Sequence, residues 1–164
     1  MKRCLTGFLM VAVLLLGGCR PQTPPEAKAS DFSCGFEATL GDTVFGGTLK
    51  RYTAGTLELT FDKPETVAGL TARWDGEAVK LQFHGLSFDV PSDSLPEQAL
   101  GEAVVGVLDA VLRGDVTGTV QDGALTIDGA LNGVDYTLVC DSANGMPKRL
   151  SVPDYELEIV FSTQ

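Results

Sequence analysis

The chain has 164 residues, enough for one domain at about 150 residues per domain. A hydrophobic content of 44% is too high for a disordered chain, and 22 acidic against 12 basic residues exclude the basic face of a nucleic-acid binder. One His and four scattered Cys supply no cluster for a transition metal.

Residues 1–18 read as a secretory signal. Lys2 and Arg3 form a positive n-region, and Leu5 to Leu16 is an apolar run interrupted only by Thr6 and Gly7. The run falls short of the roughly 20 apolar residues needed to span a bilayer. It ends in Leu16-Gly17-Gly18-Cys19, the bacterial lipobox pattern of an aliphatic residue, two small residues and Cys. Small residues let a peptidase close on an extended backbone, and the thiol carries a diacylglyceryl group. Cys19 is therefore expected to be the lipidated first residue of the mature protein, acylated by chains of the palmitate class. Each buried CH₂ contributes about 0.8 kcal/mol to such an anchor.

Residues 19–31 comprise this Cys and a Pro-rich linker. Arg20 to Ser30 holds three Pro and reaches on the order of 30 Å in a semi-extended form. Without residues 1–18 the chain keeps 10 basic and 22 acidic residues, a balance of −12. Anionic headgroups repel such a domain, so the lipid must supply the attachment. The expected place is the extracytoplasmic face of the cell membrane, with the folded domain spanning residues 32–164.

From Phe32 onward the dominant period is two. Phe32, Cys34, Phe36, Ala38 and Leu40 alternate with polar or small residues, as do Leu57, Leu59 and Phe61, then Val79, Leu81 and Phe83, then Tyr155, Leu157, Ile159 and Phe161. This is the pattern of strands with one buried and one wet face. Further strands are expected near 43–51, 70–74, 86–90, 115–121, 124–131, 134–141 and 148–152. Asp75-Gly76, Asp122-Gly123 and Asn132-Gly133 supply hairpin turns, and Asn144-Gly145 a longer connection. Gly46-Gly47 reads as a bulge or bend within its strand.

One segment changes period. Pro96-Glu97-Gln98 follows Ser94, and Leu100, Val104, Val107, Leu108, Val111 and Leu112 then recur at helical spacing until Arg113-Gly114. The helix is expected over 96–113. Gly101 and Gly106 weaken it by about 1 kcal/mol each when exposed, and would let it lie close to a sheet. The fold class is α+β, mostly β: an antiparallel meander whose concave face is covered by one main helix.

Phe36 to Leu40, Gly47 to Arg51 and Gly55 to Phe61, with Pro64 and Gly69-Leu70 ahead of Trp74-Asp75-Gly76, resemble the LolA/LolB/LppX-type lipoprotein-localisation and lipid-carrier superfamily. The resemblance covers about residues 32–163. It implies a curved sheet forming an incomplete β-barrel, whose hollow is closed by a helix and holds acyl chains. The resemblance also implies a functional arginine like that of the soluble carriers, for which Arg51 and Arg73 are candidates by neighbourhood alone.

No catalytic group is expected. Gly85-Leu86-Ser87-Phe88-Asp89 begins like a nucleophile elbow but lacks the closing Gly, and His84 reads as an exposed histidine on the polar face of a strand beside Lys80 and Gln82. Asp75, Asp122 and Asp128 form no calcium loop, and no cofactor is implied. With Cys4 in the signal and Cys19 acylated, Cys34 and Cys140 remain, each on an apolar strand face. In an exported domain a disulfide between them is favoured, contributing roughly 4–5 kcal/mol in the entropic view, on condition that their strands are neighbours. Two buried, unpaired thiols are the other reading.

The inner face carries Phe36, Leu59, Phe61, Trp74, Leu81, Phe83, Leu108, Tyr136 and Ile159, the candidate lining for a hydrophobic ligand such as a lipid or acyl chain. A filled core and a ligand-accepting hollow both satisfy this pattern. The leading expectation is a non-enzymatic, membrane-anchored lipoprotein that binds or carries that ligand. The alternative is a scaffold for an envelope enzyme or complex, marked by an exposed apolar patch around Val44, Tyr52 and Val160.

Overall fold

The structure, a computed structural model, describes residues 31–53, 55–91, 94, 100–112 and 118–163. The signal, Cys19 and the linker lie outside the described residues, as do both flanks of the expected helix.

Six strands come first: β1 (Phe32–Leu40), β2 (Thr43–Thr53), β3 (Thr56–Lys63), β4 (Thr71–Trp74), β5 (Ala78–Phe83) and β6 (Leu86–Pro91). Helix α1 (Leu100–Leu112) follows, then β7 (Gly118–Gln121), β8 (Ala124–Leu131), β9 (Val134–Asp141), β10 (Pro147–Val152) and β11 (Leu157–Ser162). All eleven strands form one antiparallel sheet in the order β6-β5-β4-β3-β2-β1-β11-β10-β9-β8-β7. The two meanders meet at the centre, where Phe36 faces Phe161 and Ala38 faces Ile159. The sheet is unclosed, its edges β6 and β7 being the strands on either side of α1 in the chain. No helix among the described residues is long and apolar enough to cross a membrane.

Local chemistry sets the hairpins. Asp122-Gly123 and Asn132-Gly133 both adopt positive φ, at 49° and 77° and at 52° and 83°. Turns of this hand match the twist of the strands they join. His84-Gly85 does the same, at 48° and 82°. This corrects the expectation for His84: it occupies a turn, not the polar face of a strand, because Gly85 gives the second left-handed position the turn needs. Tyr155 is likewise not in a strand. Pro153–Tyr155 forms a short 3₁₀ turn, Glu156 takes φ 50°, and pairing resumes only at Leu157.

The register aligns the apolar residues into rows across the concave face. One row runs Cys34, Leu49, Leu59, Ala72, Leu81 and Phe88, and the next runs Phe32, Arg51, Leu57, Trp74, Val79 and Val90. The second meander adds Leu125, Ile127, Leu138, Leu150, Val152, Leu157 and Ile159 to the buried core. The opposite face is polar, with Lys50 beside Glu58 at 3.7 Å and Arg149 beside Glu158 at 3.3 Å.

Two kinds of glycine shape this face. At Gly47 the register slips, and a Cβ there would lie 2.0 Å from the Thr60 carbonyl oxygen. The bare backbone lets Phe36 and Phe61 meet across β2, edge to face, with ring centres 5.7 Å apart. On α1, a Cβ at Gly101 would lie 1.9 Å from the Trp74 ring, and one at Gly106 would lie 2.3 Å from Leu131 Cδ2. The helix therefore wedges between the two meanders, touching Trp74 of one and Leu131 of the other.

Candidate hydrophobic site under the helix

All nine expected lining residues take the concave side. Phe36, Leu59, Phe61, Trp74, Leu108, Tyr136 and Ile159 are buried, whereas Leu81 and Phe83 are half-buried. Beneath the start of α1, Phe36, Leu49, Leu59, Leu100, Val104, Ile159 and Phe161 bound about 150 Å³ of space, none of it wide enough for a water molecule. The face under the helix is thus filled in this state. A guest can enter there only if α1 moves.

Among the described residues, two polar contacts tie α1 to the sheet. Trp74 Nε1 donates to Glu102 Oε1 at 2.8 Å, and Arg51 Nη2 donates to Asp109 Oδ1. Glu102 and Asp109 are two helical turns apart, so one edge of the helix carries both. Arg51 is the single buried charged residue among the described ones, at 1% exposure. Its Nε and Nη1 are buried without a hydrogen-bond acceptor among the described residues. Arg73, by contrast, lies on the outer face, its guanidinium 5.3 Å from the centre of the Tyr52 ring. Sequence reasoning finds Arg51 only by neighbourhood and passes over Asp109 and Glu102. A usable signal is present: Arg51 shares the inward phase of Phe45 and Leu49.

Away from the helix the same apolar face is open. Leu86 and Phe88 on β6 are 61% and 54% exposed, beside half-buried Leu81 and Phe83 on β5.

The cysteines do not pair. Cys34 and Cys140 are both free and buried. Strands β11 and β10 lie between β1 and β9, a separation on the order of 14 Å along the sheet, whereas a bridge needs Cα atoms within about 7 Å. The expected disulfide is therefore corrected to two isolated thiols. Burial pushes the Cys34 thiol up to about 11. Cys140 also reaches about 11 through burial, with Asp141 adding to the rise and Lys148 offsetting part of it.

The expected interaction patch is not one surface. Val44, Tyr52 and Val160 are exposed, at 44%, 37% and 45%. Val44 pairs with Thr39 and Val160 with Glu37, so polar positions of β1 separate them, and Arg73 sits over Tyr52. Asp75 serves its turn: its carboxylate accepts from the Glu77 and Ala78 amides at 3.0 and 2.9 Å, and the Ala78 and Glu77 bonds hold its pKa low. Asp128 accepts from Thr137 Oγ1 at 2.6 Å. No group of three His, Cys, Asp or Glu that could hold a metal is found among the described residues.

No protein-family model matches the sequence, and no curated protein matches it. Solved structures do. An uncharacterized conserved protein from Thermus thermophilus is 12% identical, with a TM-score of 0.54 over 86% of this chain and 83% of that one. This likeness shows a shared fold. A chain of the complex between the CwlD amidase and the GerS lipoprotein of Clostridioides difficile gives 11% identity and a TM-score of 0.45, over 93% and 85% of the two chains. A LolA superfamily protein from Nitrosomonas europaea gives 12% and 0.38, over 79% and 69%.

Proposed function

We propose that the protein is a membrane-tethered extracytoplasmic lipoprotein, acylated at Cys19, that binds or carries a hydrophobic ligand against the concave face of its sheet. One observation carries this reading: the apolar face continues beyond its covering helix onto β5 and β6, where Leu86 and Phe88 stand exposed. A purely structural core ends where its cover ends, because exposed large apolar side chains gain nothing from water. The open unclosed sheet and the sequence resemblance to lipid carriers point the same way.

The chemistry is burial alone. A chain entering along Leu86 and Phe88 exchanges water for apolar contact at about 25 cal/mol per Å². It advances by displacing α1, whose polar ties are the Trp74–Glu102 and Arg51–Asp109 contacts. No group on the protein has to donate a proton or attack a bond, so the protein acts as a binder and not an enzyme. The Cys19 lipid holds the acidic domain at a surface that its own charge would avoid.

The described sheet, helix and core all lie within residues 31–163, so the chain without residues 1–19 keeps every described element. Exported behind a cleavable signal that leaves no lipidated Cys, then purified and examined by native mass spectrometry, it should carry a co-purifying lipid. Bare protein under conditions that preserve weak complexes would overturn the reading.

A further inference from the structure

Arg51 sits in the apolar interior with only one hydrogen-bond acceptor among the described residues, the Asp109 carboxylate, which is itself 15% exposed. A buried hydrogen-bond donor without a partner costs about 1–3 kcal/mol, and more when it is charged. A residue needed only to pin α1 has no use for an always-charged guanidinium that leaves Nε and Nη1 unmet. A neutral amide would make the same single bond to Asp109 at a smaller desolvation cost. The surplus donors fit a second acceptor, and the planar guanidinium suits a carboxylate in particular.

What surrounds Arg51 defines the rest of that guest. Leu49, two residues back along β2 and so about 7 Å away, lines the tight space under α1. Past it lies Gly47, flanked in register by Phe36 and Phe61. One buried cation thus stands at the end of an apolar track.

We propose that Arg51 anchors the head of an anionic amphiphile, a carboxylate on a long alkyl chain, whose tail follows β2 over Leu49 and Gly47. This rests on the hydrophobic-ligand reading above and names the ligand class. Asp109 is the internal competitor for the same guanidinium. When the guest's carboxylate takes Arg51, Asp109 is released toward solvent and α1 loses a polar tie to the sheet. A neutral lipid has no group that displaces Asp109 from Arg51.

Palmitate and hexadecanol, equal in chain length and differing in charge, separate the cases. Their binding to the chain without residues 1–19 is measured by calorimetry. Palmitate should bind at least about tenfold tighter, Arg51→Gln should abolish that advantage, and Asp109→Asn should raise the ratio of palmitate to hexadecanol affinity. Asp109→Asn preserves shape and keeps Arg51, so it remains informative if Arg51→Gln folds poorly. Equal binding of the two probes, or no gain in Asp109→Asn, overturns the role of Arg51 and leaves the hydrophobic-ligand reading standing. Failure of both probes to bind overturns both.

Discussion

The region beneath α1 and the hairpin β5–β6 are built from the same alternation and end in opposite environments. Leu57, Leu59 and Phe61 on β3 are 0%, 1% and 9% exposed. Val79 on β5 shares a row with Leu57 and is equally buried, yet Leu86 and Phe88 on β6 are mostly in water. All face the concave side. Alternation decides which face a side chain takes, whereas a third element, the crossing helix, decides whether that face is dry. α1 packs on β3 and β4, and Leu86 and Phe88 on the outer part of the hairpin remain exposed.

The sharpest way to break this contrast is to truncate one leucine in each region. Leu57→Ala removes a fully enclosed side chain and should cost about 3 kcal/mol, within the range for buried leucines. Leu86→Ala removes a side chain that is 61% exposed and should cost under about 0.5 kcal/mol. Urea unfolding with an unchanged m-value measures both. Equal costs would mean that the hairpin is buried after all, and that the face has no open part.

How much of this is legible in the sequence follows from what each feature depends on. The strands 124–131 and 134–141 can be placed to the residue, because Asp-Gly and Asn-Gly announce their turns through backbone preference alone. His84-Gly85 makes the same turn without that announcement, since His-Gly is not among the dipeptides that favour such turns. The inward phase of the apolar residues is readable because period two is local. Pairing of Cys34 with Cys140 depends on strand order, and β11 and β10 come between them only because the C-terminal meander folds back onto β1. The Arg51–Asp109 contact joins residues 58 positions apart on different elements. No local pattern reports such a pair. Packing under the helix is half-legible: Gly101 and Gly106 hint at close approach, but the path of α1 decides what they approach.

The second test sits at that close approach. Gly101→Ala has two opposed consequences. Helix propensity favours Ala by about 1 kcal/mol. Against it, the new Cβ would lie 1.9 Å from the Trp74 ring, so the ring or the helix must shift. Overpacking of this kind costs about 1–3 kcal/mol, and a rigid indole that is also bonded to Glu102 has little room to yield. The net expectation is a loss of about 1–2 kcal/mol, a red shift of the Trp74 fluorescence and increased binding of an apolar dye as α1 lifts. A gain in stability would show that the helix rides loosely over the sheet, and the covered region would then differ little from the open one.

The smallest effect sharpens the contrast through titration. Burial pushes the Cys34 and Cys140 thiols up from 9.0 to about 11. In the unfolded chain they ionise near the lower value, so the fold's preference for neutral thiols is fully present below about pH 9 and is lost as pH rises through about 11. The denaturation midpoint should therefore fall between about pH 8.5 and about pH 10.5 by more in the native sequence than in Cys34→Ala/Cys140→Ala, which shares every other titrating group. In that doubly substituted background, Phe88→Cys places a thiol at a position that is 54% exposed. It should react with a thiol reagent at about pH 8 far faster than the two native cysteines do, because reaction needs both the thiolate and access to it. Native thiols reacting as fast as the introduced one would mean that the helix-covered interior opens as readily as the rim, and that the cover over the concave face is no barrier.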